Sequence, residues 1–257
     1  MNIRFIGVGT QSSGQDQYHS NMVITSHSGK RMLVDCGGDV RFSLAESGMG
    51  PKDLDAVYIS HLHSDHVGGM EWLAFSTYFD KECRRLMLFG EERLLDRLWD
   101  SSLKGGLECI RTKRMGLADY FECHALAEEV PFCWEGIRFE MVKMLHVAGD
   151  QCNHFSYGIL IGTGTARGSS IFISTDALFQ PELLDRISQN TDVIFHDCET
   201  VPYKTHVHAH YDQLCTLPAT IREKIWLYHY QTGSGYTPSE DGFHGFVVKG
   251  QQFSFHD

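Results

Sequence analysis

The sequence predicts an α+β architecture, two packed sheets with helices outside them, built as a single domain over residues 1–257. Three observations carry that expectation. The 257 residues are 42% hydrophobic and 21% charged, a balance that buries a sizeable core and excludes disordered, collagen-like and coiled-coil chains. Short β-like runs dominate both halves, with helical patterns between them. No repeat, low-complexity stretch or linker breaks the series.

The elements follow in order. Residues 2–8 alternate like a strand and lead into a Gly-, Ser- and Gln-rich loop, 9–17. Residues 22–25 and 31–35 read as a hairpin turning near Ser28-Gly29. Residues 40–47 read as a helix stopped by Gly48, and 56–60 (AVYIS) as a buried strand. In MEWLAFSTYF, Met70, Leu73, Ala74 and Thr77 recur at helical spacing. A strand over 85–89 and a helix over 91–99 come next, and 101–115 is weakly patterned. Strands are expected over 137–144, 157–161, 170–174, 193–196 and 224–229. Pro181 opens a helix to 187, and 211–217 forms another. Residues 246–248 and 252–255 are expected to close the chain as a hairpin.

The net charge of −11 disfavours a long polyanion, whose binding rests on Lys and Arg neutralising phosphates. A small anionic substrate stays compatible, because a bound cation overrides the global field locally. No apolar run reaches the roughly 18 residues that span a bilayer, and the N-terminus lacks a signal-peptide pattern, so the expected location is cytoplasmic. The eight cysteines form no CxxC pair, which predicts reduced, mostly buried thiols rather than a disulfide framework or zinc ribbon.

Fifteen histidines stand out. Ser60-His61-Leu62-His63-Ser64-Asp65-His66-Val67-Gly68-Gly69 follows a predicted strand and precedes a predicted helix. His61 and His63 point the same way in extended backbone and reach one metal together. Asp65 and His66 lie where the chain turns, placed for a second. Three imidazoles and a carboxylate suit zinc or a similar divalent ion. At this composition a random HxHxDH is expected in only about three chains per thousand. Further candidates follow other predicted strands: His146, Asp176 and His229.

This ordered set resembles the metallo-β-lactamase-fold hydrolases over nearly the whole chain. The resemblance implies a four-layer αββα sandwich. It also implies that His61, His63 and His146 hold one zinc (or manganese) ion, Asp65, His66 and His229 a second, and that Asp176 bridges both. His63 stands where flavodiiron relatives carry Glu, and Asp176 where many β-lactamases carry Cys, so redox and antibiotic hydrolysis are disfavoured. Glyoxalase II-type thiolesterases share the ligands, but usually add a C-terminal helical domain; residues 242–257 are short and strand-like.

Phe195-His196-Asp197-Cys198-Glu199-Thr200 and His206-Val207-His208-Ala209-His210 resemble two motifs of tRNase Z-type phosphodiesterases. His208, five residues before Gln213, matches the proton-donating His best; His206 and His210 are the alternatives. Glu199 or Asp197 is expected to hold that imidazole. Only 30 positions separate His146 from Asp176, too few for the tRNA-binding arm, and the basic run Arg111-Thr112-Lys113-Arg114 reads as a solvated turn. The whole pattern is similar to anti-Pycsar-type cyclic-nucleotide phosphodiesterases. By that resemblance two metals activate water, Asp65 accepts its proton, and His208 protonates the leaving alkoxide. A small phosphodiester substrate and a homodimer are implied, with a tRNase Z-like nuclease as the alternative.

Overall fold

Apolar runs such as residues 56–60 suit strands buried on both faces, the setting in which parallel pairing occurs. The computed structural model describes residues 1–110, 112–162 and 170–255. These residues pack as two units. The first comprises Met1–Gly7, Gly14–Ala127 and Lys249–Phe253, and the second is centred on Glu128–Val248 with Val8–Ser13.

The first unit contains β1 (Asn2–Phe5), β2 (Met22–Thr25), β3 (Arg31–Val34), α1 (Val40–Glu46), β4 (Ala56–Tyr58), α2 (Ser64–Val67), α3 (Met70–Phe79), β5 (Met87–Glu91), α4 (Glu92–Arg97), α5 (Lys104–Leu107), β6 (Cys109–Ile110), β7 (Lys113–Arg114), α6 (Leu117–Tyr120) and β8 (Glu122–Leu126). Later in the chain come β9 (Phe132–Trp134), β10 (Ile137–Val147), β11 (His154–Gly162), β12 (Ser170–Ile173), α7 (Pro181–Ser188), β13 (Val193–Asp197), α8 (Tyr211–Leu214), α9 (Ala219–Arg222), β14 (Ile225–Tyr228), β15 (Gly245–Phe246) and β16 (Gln252–Ser254).

One seven-stranded sheet runs β16-β1-β2-β3-β4-β5-β8, and the other runs β15-β14-β13-β12-β11-β10-β9. Each mixes an antiparallel part with a parallel part: β3, β4, β5 and β8 pair in parallel, as do β12, β13, β14 and β15. Parallel strands are covered on both faces. Met32, Leu33, Val34, Ala56, Val57 and Tyr58 are accordingly all fully buried. In the second unit Phe172, Ile194 and Leu227 from three neighbouring strands join Leu184 of α7 and Ile221 of α9 in one core. Each such side chain contributes about 1.5–3 kcal/mol by leaving water.

Most expected elements are present, and the departures have local causes. Residues 246–248 and 252–255 do not pair as a hairpin: β15 lies beside β14, and β16 lies at the β1 edge. Backbone bonds from His244 and Val247 go to Ile225 and Leu227, while Gly250 bonds Phe5, so the two short strands are claimed by different sheets. The weakly patterned stretch contains a π-helical turn, Leu98–Leu103, then α5 and the β6–β7 ribbon. There Lys113 and Arg114 are exposed and pair with Asp119 and Glu108, as a solvated turn would; Arg111 lies outside the described residues. All eight cysteines are free, but only Cys36 and Cys198 are buried, against the expectation of mostly buried thiols. Cys123 and Cys133 sit on β8 and β9, the edge strands of their sheets, which leave side chains in solvent. Among the described residues no helix is long and apolar enough to cross a membrane.

Candidate metal centre

In the first unit the site is built at the carboxyl end of β4. The strand stops at Tyr58, His63 is the extended N-cap of α2, and Asp65 and His66 lie within that short helix, in its first and last turn. The extended backbone through 61–63 does what alternation predicts: His61 Nε2 stands 3.2 Å from His63 Nδ1. His61 and His66 rings lie 4.1 Å apart, and His66 Nε2 is 3.6 Å from Asp65 Oδ2.

The other ring nitrogens are already engaged. Asp35, buried at the end of β3, accepts from the Ser60 amide at 2.8 Å and from the Ser60 hydroxyl at 2.7 Å. It also meets His66 Nδ1 at 2.8 Å. Ser60 Oγ in turn meets His61 Nδ1 at 3.0 Å. A hydroxyl that donates to Asp35 can only accept from His61, so both histidines carry their proton on Nδ1 and present the Nε2 lone pair. That is the outer hydrogen bonding typical of metal-bound histidine.

The loop after β3 supports this segment from below. Cys36 N donates to His66 O at 2.7 Å, and Gly69 N donates to Cys36 O at 2.8 Å. A Cβ at Gly37 would fall on the Asp65 carbonyl oxygen, so only glycine lets the two backbones touch.

The second unit places its candidates the same way, at strand ends. His146 is not beyond β10 but inside it, at the register shift between Leu145 and Val147. The bulge re-aims a side chain that plain alternation would place differently. His146 Nδ1 donates to Val207 O at 2.7 Å. Asp176 follows β12 after Thr175, and His229 follows β14; Thr175 (φ 54°) and His229 (φ 58°) take left-handed backbone, as does Asp35 (φ 61°). Non-glycine residues adopt that conformation at a cost, and such strain gathers at functional sites.

Each Asp176 oxygen faces an imidazole: Oδ2 is 3.7 Å from His146 Nε2, and Oδ1 is 3.5 Å from His229 Nε2. These gaps exceed hydrogen bonds, and they suit two ligands sharing a cation at about 2.0–2.2 Å each. All three residues are about 1% exposed, and a charge so buried needs a counter-ion.

Asp197, fully buried, ties the second set together. Its Oδ2 accepts from Ala177 N at 2.9 Å and meets His208 Nδ1 at 2.7 Å, and its Oδ1 lies 3.3 Å from His229 Nδ1. Burial works against the His208 imidazolium, but the Asp197 carboxylate, by charge and hydrogen bond, and Asp176 together offset it and raise the His208 pKa from the usual histidine value. Burial likewise pushes Asp197 up, and His208 and His229 outweigh it, holding its carboxyl below the usual range.

The three neighbouring histidines separate clearly. His210 caps α8: its Nδ1 accepts from Asp212 N at 3.2 Å, its Nε2 meets Val201 O at 2.9 Å, and its own amide donates to Gln213. His206 is exposed, with φ 63°. His208 is the one of the three that lies beside Asp176. Glu199 does not reach His208. Its buried carboxylate accepts from the Thr205 amide and hydroxyl and pins the loop that carries His206 and His208. Spacing leaves Glu199 and Asp197 as equal partners for that imidazole, and the geometry selects Asp197. Motif reasoning passes over Asp35, although an acid ending an apolar strand just before Cys-Gly-Gly marks it.

Residues 1–253 match the Anti-Pycsar protein Apyc1 family. The Anti-Pycsar protein Apyc1 of Paenibacillus xerothermodurans is 32% identical over 258 residues, covering 99% of this chain and 98% of that protein. Among solved structures, the metallo-β-lactamase fold protein YhfI of Bacillus subtilis aligns with a TM-score of 0.74 at 18% identity, over 98% of this chain and 99% of the other. The short form of human tRNase Z aligns with a TM-score of 0.71 at 17% identity, over the whole of both chains (100% each). The chain therefore has the metallo-β-lactamase fold and belongs to the Anti-Pycsar protein Apyc1 family.

Proposed function

We propose that this protein is a metal-dependent phosphodiesterase acting on small phosphodiesters, foremost 3′,5′-cyclic nucleotides, which it opens to nucleoside monophosphates. The observation that carries the reading is Asp176, buried with one imidazole Nε2 facing each of its oxygens and with the Asp197–His208 pair beside it. In this reading His61, His63 and His146 would hold one divalent ion, Asp65, His66 and His229 would hold another, and Asp176 would serve both. The order of these ligands along the chain and the membership of the family support joining the two sets. The nitrogen-rich donors fit zinc, with manganese as the alternative.

Two such ions would lower the proton affinity of water and neutralise phosphoryl oxygens. The chain does the rest. Asp65 takes the proton of the attacking water. His208 gives a proton to the leaving sugar alkoxide, and Asp197 fixes the tautomer and direction of that imidazole. The name of the Paenibacillus relative, anti-Pycsar, supports a cyclic-nucleotide substrate. The described residues between His146 and Asp176 belong mainly to β11 and β12, which supports a small substrate over pre-tRNA. A homodimer in the cytoplasm completes the reading.

The test is a panel: 3′,5′-cyclic nucleotides, a pre-tRNA and bis(p-nitrophenyl) phosphate, with and without added zinc or manganese. Turnover of the cyclic nucleotides with an intact pre-tRNA is expected. Efficient 3′-trailer removal with inert cyclic nucleotides would move the protein to the tRNase Z-like class.

A further inference from the structure

A second imidazole–carboxylate pair lies in the first unit, outside the ligand set and unused by the reaction above. His19 precedes β2, and Asp39 precedes α1. Asp39 grips His19 twice: Oδ2 accepts from the His19 amide at 3.0 Å, and Oδ1 stands 3.5 Å from His19 Nδ1. Asn21 anchors the same turn, donating to His19 O at 2.9 Å and accepting from Gly37 N at 2.8 Å. His19 Nδ1 and Asp39 Oδ1 are both sealed from water, and neither makes a hydrogen bond within normal limits among the described residues. A proton on Nδ1 would face the Asp39 carboxylate and leave Nε2 as an acceptor.

The placement gives that acceptor something to do. A Cβ at Gly38 would stand 3.8 Å from His19 Cε1 and 4.0 Å from the Ser64 carbonyl oxygen, so His19 flanks the ligand-bearing loop across a residue without a side chain. At Gly37, the Cβ position lies 2.8 Å from His19 Cβ and also falls on Asp65 O. His19 shares with His208 a mostly buried ring whose Nδ1 is turned to an aspartate, at 3.5 Å from Asp39 where His208 stands 2.7 Å from Asp197. Asp39 adds negative charge on this side, which favours a neutral hydrogen-bond donor over a phosphate as the partner.

We propose that His19, oriented by Asp39, is a substrate-binding residue whose Nε2 accepts a hydrogen bond from an O–H or N–H of the nucleoside part of the substrate. The proposal rests on the phosphodiesterase reading and deepens it. The groups that fit are a ribose hydroxyl and a base amino group, chemistry that bis(p-nitrophenyl) phosphate lacks.

The experiment compares wild type with His19→Ala, His19→Gln and Asp39→Asn, on a 3′,5′-cyclic nucleotide, its 2′-deoxy analogue and bis(p-nitrophenyl) phosphate, with metal content measured for each. His19→Ala is expected to raise KM for the cyclic nucleotide about three- to tenfold, the worth of one neutral hydrogen bond. The kcat, the metal content and the p-nitrophenyl activity should stay within about twofold of wild type, as loss of uniform binding requires. His19→Gln, which offers an amide oxygen, should recover part of the affinity, and Asp39→Asn should fall between. An effect lost on the 2′-deoxy analogue assigns the ribose hydroxyl; an effect kept there assigns the base. Equal losses on all substrates would make the pair a prop of the loop and overturn the proposal, as would no change on any. A wild-type protein that cleaves bis(p-nitrophenyl) phosphate but no cyclic nucleotide would remove the underlying reading, and the proposal with it.

Discussion

Replacing Asp35 by asparagine exchanges one oxygen for an NH₂ and should mis-set two histidines. Asparagine tolerates the left-handed backbone at this position (φ 61°), so the turn after β3 keeps its shape. The remaining oxygen still accepts from Ser60 N. The new NH₂ replaces the oxygen that served the Ser60 hydroxyl at 2.7 Å and His66 Nδ1 at 2.8 Å. Facing a donor, His66 must move its proton to Nε2 or lose the bond. The Ser60 hydroxyl becomes an acceptor toward the new amide and turns its hydrogen to His61 Nδ1, pushing that proton to Nε2 as well. Both lone pairs offered to metal are then lost. One such outer bond is worth about 10–100-fold in metal affinity, so two give about 10²–10⁴-fold, or about 3–5.5 kcal/mol. The assay is zinc competition against a chelator of known affinity, with circular dichroism on the metal-free variant to establish folding. Ser60→Ala, which touches only the His61 arm, should lose about 10–100-fold. A folded Asp35→Asn protein that binds zinc as wild type would falsify the tautomer argument.

Three further outcomes are expected. His208→Ala should keep its metal and lower turnover of a cyclic nucleotide by about 10²–10⁴-fold, with a much smaller loss on a p-nitrophenyl ester whose phenolate leaves unprotonated; equal losses would show that His208 binds phosphate or builds the loop. Elemental analysis of active protein should find about two zinc or manganese ions per chain, the count of a two-metal site, and His61→Ala or Asp176→Ala should lose metal and activity together; one ion per fully active chain would refute the bridging role of Asp176. Gly69→Ala should destabilise the fold by about 1–3 kcal/mol in urea melts, since overpacking costs that much and the new Cβ would stand 2.6 Å from Val40 Cγ1 and crowd the Gly37 carbonyl; an unchanged midpoint would show that α1 yields freely.

What the sequence reveals depends on how local each cause is. His61 and His63 are legible because alternation in extended chain is a two-residue rule, and the hairpin of β2 and β3 because its register closes over one turn. β8 and β9 escape notice: both are edge strands whose exposed residues blur the apolar pattern. His146 reads as lying past its strand because a bulge is a property of the pair β10–β11, not of either strand. The partner of His208 is undecidable from spacing, since Asp197 and Glu199 stand two apart at a strand end. Only the path of the 199–210 loop, with Thr205 returning to Glu199, separates them.

The edge strand β16 gives the first sheet an unusual history. It lies beside β1, where Gly250 N donates to Phe5 O at 2.7 Å, Phe5 N donates to Gln251 O at 2.9 Å, and Lys249 reaches Glu46 at 2.8 Å. On a ribosome adding about 5–20 residues per second, β1 emerges roughly 10–50 s before the strand that covers it. During that interval the β1 edge, with the ring of Phe5 still awaiting Phe253, is an open template for another chain. The nascent chain is thus open to mispairing along β1 long after the ligand-bearing loop has been synthesised.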